Sequence, residues 1–229
     1  VKASGKAAAF IGVTERGGLM AGKITEANVE KYIYDILPAR DAVLSDMERL
    51  ARRRDIPIIG PAVGRMIYLL VQICGAKRIF EMGSAIGYST IWLARAAGPR
   101  AEIYYTDGDP SNARRAKEFF ERAGVEKRIT VMTGDALAML DRTKGKFDLI
   151  FIDVDKHQYP AALRKALRRL KSGGLLLTDN TLWSGRVTRR AKDTSTRGVQ
   201  EFNKAVYSSK ELFPVLIPLR DGVTVCRKK

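Results

Sequence analysis

From Arg78 onward the chain alternates short apolar runs with stretches of helical period, and this alternation restricts its possible folds more than any other feature. Runs at Arg78–Glu81, Glu102–Thr106, Ile129–Met132, Phe147–Ile152 and Gly174–Thr178 read as strands. Between them, Ser89–Ala97, Asn112–Ala123, Asp135–Leu140 and Pro160–Leu170 read as helices. Short apolar strands spaced by helices predict a mostly parallel sheet covered on both faces, an α/β class of doubly wound type. The last two strands, Val215–Pro218 and Val223–Arg227, are separated only by Leu219 to Gly222. They predict an antiparallel hairpin at the end of the sheet.

Upstream, helices are expected at Thr25–Leu37, closed by Pro38, then at Asp41–Arg53 and Val63–Ile73, with 56–61 extended. Residues 1–22 carry five glycines and little periodicity, and read as a flexible N-terminal extension. A length of 229 residues suits one domain, here 23–229, with helices 25–73 packing on a sheet domain 78–229. No apolar run approaches the roughly 18 residues needed to cross a membrane, so a soluble, non-membrane protein is expected. Cys74 and Cys226 lie in apolar sequence and read as buried thiols in a reducing, cytoplasmic setting.

The formal net charge is +16, from 41 Lys and Arg against 25 Asp and Glu. The excess is clustered at Arg52–Arg54, Arg164–Lys171, Arg186–Lys192 and Arg227–Lys229. Such clusters are solvated faces or a landing surface for an anionic partner such as nucleic acid.

Ligands of open α/β sheets sit beyond the C-terminal ends of the strands, so the residues there carry the functional reading. The first strand ends at Glu81 and passes through Gly83 and Gly87 into a helix, a turn that lets a nucleoside-bearing ligand approach the backbone. The second ends at Asp107, spaced to accept hydrogen bonds from two ribose hydroxyls, as NAD or S-adenosylmethionine would offer them. The glycines lack the G-x-G-x-x-G density that cradles a pyrophosphate. Asp135 and Ala136 close the third strand and present a carboxylate and backbone amides to an adenine edge, unless Asp135 only caps the next helix. Asp153, Asp155 and Lys156 end the fourth strand; Asp179 and Asn180 end the fifth. Two carboxylates and an amide oxygen form a hard ligand set for magnesium, calcium or manganese, or alternatively serve as caps and turn residues. A single histidine in the chain argues against zinc.

Four segments, E-M-G-S-A-I-G-Y-S, F-I-D-V-D-K-H-Q-Y, D-N-T-L-W-S-G and D-G-V-T-V-C-R-K, occur in this order. With them the chain, from about Ile24 to Lys229, resembles the cation-dependent O-methyltransferases of the catechol and caffeoyl-CoA type. The resemblance implies a class I S-adenosylmethionine-dependent methyltransferase fold, Rossmann-like, with seven strands and the terminal strand inserted antiparallel, commonly as a homodimer. It assigns Asp153, Asp179 and Asn180 to the cation, most readily Mg2+, and Lys156 to the general base. Glu81, Gly83, Ala85, Ser89 and Asp107 fall at S-adenosylmethionine contacts, as do Asp153 and Asp155, with Ala136 beside the adenine and Ile59 and Gly60 near the methionine moiety. Trp183 is the candidate to pack on the acceptor ring. The implied acceptor is a small vicinal dihydroxy aromatic. The alternatives are a tRNA 5-hydroxyuridine O-methyltransferase, which shares the same chemistry, and, more remotely, a non-catalytic binding protein. Residues Val187 to Val199 are expected to be a short basic loop.

Overall fold

A computed structural model describes residues 24–229; the expected N-terminal extension 1–22 lies outside the described residues. Three helices come first: α1 (Ala27–Asp35), α2 (Ala42–Arg54) and α3 (Gly60–Cys74). Then β1 (Arg78–Met82), α4 (Tyr88–Ala97), β2 (Glu102–Asp107), α5 (Pro110–Arg122), β3 (Ile129–Thr133), α6 (Ala136–Arg142) and β4 (Phe147–Ile152) alternate. The chain closes with α7 (Tyr159–Arg169), β5 (Leu170–Thr178), α8 (Thr194–Ser208), β6 (Leu212–Ile217) and β7 (Val223–Lys228). Aspartates set several helix starts: Asp41, Asp109, Asp135 and Asp193 each accept a backbone N–H of the first turn of α2, α5, α6 and α8.

The seven strands form one sheet in the order β3-β2-β1-β4-β5-β7-β6. β1 to β5 are parallel, and β7 runs antiparallel between β5 and β6. Central strands are apolar on both faces, because a helical layer covers each. Ile79, Phe151 and Leu177 pack with Val63, Ile91 and Phe120 under α3, α4 and α5. Phe80, Ile150 and Leu176 pack with Leu140, Leu163 and Phe202 under α6, α7 and α8. The direction of winding reverses between β1 and β4, which opens a crevice at their C-terminal ends.

The structure corrects several expectations. The basic loop expected at Val187–Val199 ends early, because α8 starts at Thr194; Val199, Phe202 and Val206 fall on one buried helical face, and the Phe202 ring lies 5.5 Å from Tyr159. β5 starts at Leu170 directly after α7, four residues before the expected Gly174. β6 begins at Leu212 and carries Pro214, which the edge of a sheet tolerates. α3 starts at Gly60, not Val63. Cys74 is exposed at the end of α3, while Cys226 is buried as expected. Among the described residues, no helix is long and apolar enough to cross a membrane.

Candidate active site

A cavity of about 880 Å³ runs along the crest formed by the C-terminal ends of β1 to β5. The turn after β1 forms its floor. Gly83 adopts φ +84°, and a Cβ there would lie 2.4 Å from the carbonyl oxygen of Asp153, so only glycine lets the β1 and β4 ends meet. Ala85 is held at φ +44° by two contacts from β2: its N–H donates to Asp107 Oδ2 at 2.9 Å, and the Tyr105 hydroxyl donates to its carbonyl at 2.6 Å.

Asp107 is not a helix cap, since Asp109 caps α5. Its other oxygen accepts from Asp109 N–H at 2.9 Å and from Asn112 Nδ2 at 3.1 Å, which fixes the carboxylate at the cleft wall. Asp135 and Ala136 line the same end. Asp135 caps α6 with one oxygen and accepts from Gln158 Nε2 at 3.2 Å with the other, so the capping alternative describes its bonding. Asp155 lines the cleft just before the turn that carries Lys156.

Glu81 is fully buried at the end of β1. One carboxylate oxygen accepts from the Thr90 hydroxyl; among the described residues the other has no partner. Burial pushes its carboxyl up to about 7, against the opposing pull of the Ser89, Thr90 and Ser84 hydroxyls. Ser89 itself is buried in the first turn of α4. Ile59 is buried in the core, and its neighbours Ile58 and Gly60 line the cleft.

Asp153, Lys156, Asp179 and Asn180 meet at the other end. The β4 and β5 ends are tied by Asp153 N–H to Met82 O at 2.8 Å and Asp179 N–H to Ile152 O at 3.1 Å. Lys156 Nζ donates to Asp153 Oδ1 at 2.9 Å. The Tyr159 hydroxyl donates to the Asp179 carbonyl at 2.7 Å. Asp179 is buried, and its Oδ1 has no hydrogen-bond partner among the described residues. Burial pushes the carboxyls of both Asp153 and Asp179 upward; Lys156 opposes this at Asp153, and the proximity of Asp153 adds to it at Asp179. Asn180 adopts φ +54°.

Trp183 does not line the cleft. Its ring is half-buried against the α8 side of the core, under the Arg186 guanidinium at 4.1 Å and 5.8 Å from Lys156 Nζ. Several cleft residues were not anticipated, among them Arg40, Glu48, Tyr34 and Arg220. Glu48 receives a bidentate ion pair from Arg40 and a 2.8 Å hydrogen bond from the Tyr88 hydroxyl, fastening α2 to the start of α4. Tyr34 reaches the cleft from α1, and Arg220 from the β6–β7 turn. Only the hairpin gave any sign of them: an antiparallel β7 returns the preceding turn to the crest.

Residues 40–229 match the O-methyltransferase family. The chain belongs to that family. A catechol O-methyltransferase from Niastella koreensis is 34% identical over 183 residues, 77% of this chain and 83% of that protein. One from Mycobacterium tuberculosis is 32% identical over 169 residues, 72% of this chain and 77% of that protein. The structure of an O-methyltransferase from Bacillus cereus in complex with S-adenosylhomocysteine superposes with a TM-score of 0.81 at 29% identity, over 88% of this chain and 97% of that one. The expected fold and enzyme class, an S-adenosylmethionine-dependent O-methyltransferase, therefore stand.

Proposed function

We propose that this methyltransferase moves a methyl group from S-adenosylmethionine to one hydroxyl of a small vicinal dihydroxy aromatic, held by a divalent cation at Asp153, Asp179 and Asn180. The observation that carries the reading is buried Asp179 beside half-buried Asp153, with an Asp179 oxygen that has no hydrogen-bond partner among the described residues. An unpaired buried carboxylate is costly, and a hard cation removes that cost. Among the described residues no three His, Cys, Asp or Glu side chains converge, so amide and water oxygens complete such a site. Mg2+ suits it best, with Ca2+ and Mn2+ as variants. The catechol O-methyltransferases among its relatives support the acceptor class.

Each residue then has a task. Asp107, already fixed by three donors, accepts the ribose hydroxyls, and Gly83 and Ala85 leave the backbone bare beside the donor. Glu81 and Ser89, both buried, shape the end of β1 and the start of α4, and Asp135, Ala136 and Asp155 border the adenine end. Lys156, 13% exposed beside Asp153, takes the acceptor proton at Nζ in its neutral amine form. When bound, the cation stabilises negative charge on the acceptor oxygen.

A tRNA acceptor is less favoured, because the basic clusters diverge. Arg186 follows Asn180 at the crest, whereas Arg168 and Arg169 end α7 at the opposite, β5-starting end of the sheet. Initial rates on a catechol panel and on undermodified tRNA, with and without EDTA and across a salt series, test both points. Activity on catechols that EDTA abolishes is expected. Parent-like rates in EDTA would refute the cation; salt-sensitive tRNA methylation without catechol turnover would refute the acceptor.

We also infer a homodimer. On β6, Leu212 is buried beneath α8, while Phe213 and Val215 are 65% and 47% exposed. Val215 pairs with Val225, which packs into the α3 side of the core, so this exposed pair shares a side of the sheet with Leu69 and Ile73 of α3, themselves exposed. Such a face suits burial against a second copy.

A further inference from the structure

Arg220 holds an unfavourable backbone and a well-placed side chain. Its φ is +52°, in the left-handed region that disfavours side chains, at the tip of a turn where Gly222 adopts φ +79° without that penalty. An arginine kept in such a conformation points to a use for its head group. The half-buried guanidinium lines the cleft, and Nη1 donates to the Ile58 carbonyl at 2.9 Å, which fixes one edge of the fork. Arg220 forms no ion pair among the described residues, although Asp153, Asp179 and Asp221 all feel its charge. Asp221 is held by the backbone N–H of Ser184. Tyr34 flanks the same spot: a Cβ on Gly60 would lie 3.3 Å from the Tyr34 hydroxyl and 3.6 Å from Arg220 Nη1. A planar fork with unused donors and a phenol beside it match a carboxylate.

We propose that Arg220, assisted by Tyr34, selects acceptors that carry a carboxylate, so that the preferred substrates are acidic catechols and not neutral or cationic ones. The inference rests on the catechol-type reading of the site. It follows from the charge arrangement: a dication taken up by Asp153 and Asp179 claims two of the three acids that feel Arg220, and an anionic group on the acceptor restores the counter-charge.

The test compares 3,4-dihydroxybenzoate with 3,4-dihydroxybenzamide, which differ in charge and little in shape, on the parent, Arg220→Gly, Arg220→Lys and Tyr34→Phe. Glycine accepts the φ of this position, so Arg220→Gly is expected to fold. The parent is expected to favour the acid in kcat/KM by at least tenfold. Arg220→Gly is expected to lower that preference at least tenfold, mainly through KM of the acid, with Arg220→Lys between the two. Damage to the cation site or to the turn shifts both substrates together and leaves the ratio unchanged. An unchanged ratio, or a parent without preference, would overturn the proposal. If neither compound is methylated, the catechol reading fails on its own. Calorimetry of the two compounds on protein saturated with S-adenosylhomocysteine, with and without Mg2+, then still decides: acid binding that Arg220→Gly weakens tenfold supports the role, and equal binding of acid and amide by the parent refutes it.

Discussion

Glu81 shows how far a single residue can be set against its surroundings. Its carboxyl is fully buried with one oxygen unpartnered, and it ionises near 7 where an unfolded chain ionises near 4.5. The folded state therefore binds this proton more tightly than the unfolded state. The resulting stability is fully present below pH 4.5 and is lost as pH rises through about 7, with a span on the order of 3 kcal/mol for the ligand-free protein. Glu81→Gln keeps the shape and removes the titration. Denaturant unfolding at several pH values between 4.5 and 7.5 is expected to show a shallower decline in this variant than in the parent; parallel curves would refute the assignment. Asp107 behaves differently, because its oxygens are satisfied by Ala85, Asp109 and Asn112 before any ligand arrives. Asp107→Ala is expected to weaken S-adenosylhomocysteine by about 1–3 kcal/mol in calorimetry, through lost ribose bonds and a loosened turn.

At the scale of elements, α8 links the packing of the molecule to its chemistry. Gly198 lies against the turn that carries Lys156, where a Cβ would meet the Lys156 carbonyl oxygen at 2.3 Å. In an exposed helix Gly→Ala stabilises by about 1 kcal/mol, but overpacking against backbone costs about 1–3 kcal/mol. Gly198→Ala is thus expected to lower the thermal midpoint and to reduce kcat, because the helix can relax only by displacing Lys156. A raised midpoint would show that the contact yields freely. The sequence made the crest legible because glycines, aspartates and strand ends have local signatures: Gly83, Asp107, Asp153 and Asp179 all stand where strands stop. It hid α8, whose Thr- and Arg-rich first turn reads as loop while only Val199, Phe202 and Val206 reveal the helical spacing. Tyr34 and Arg220 were illegible for another reason: 186 positions apart in the chain, they are neighbours only through Gly60 in the folded molecule. Trp183 illustrates the reverse, an aromatic near the crest that sits under Arg186 and off the cleft.

For the whole molecule, the proposed dimer and the placement of charge make separate predictions. Phe213→Asp puts a charge on the exposed β6 face without touching the crest, and sedimentation velocity is expected to show a monomer where the parent is a dimer. A parent that is already monomeric at micromolar concentration would refute the interface. The order of the sheet has a further consequence for how the protein is made. β7 is the last of the seven strands in chain order, yet it lies inside the sheet, and among the described residues β6 has no other strand to pair with. The turn between them also receives the backbone N–H groups of Thr181 and Leu182. During synthesis the nascent chain therefore waits with the outer edge of β5 open and the acceptor side of its cleft unassembled. A chain that stops before Val223 lacks the wedge that closes its sheet, and both edge protection and catalysis arrive together with β7.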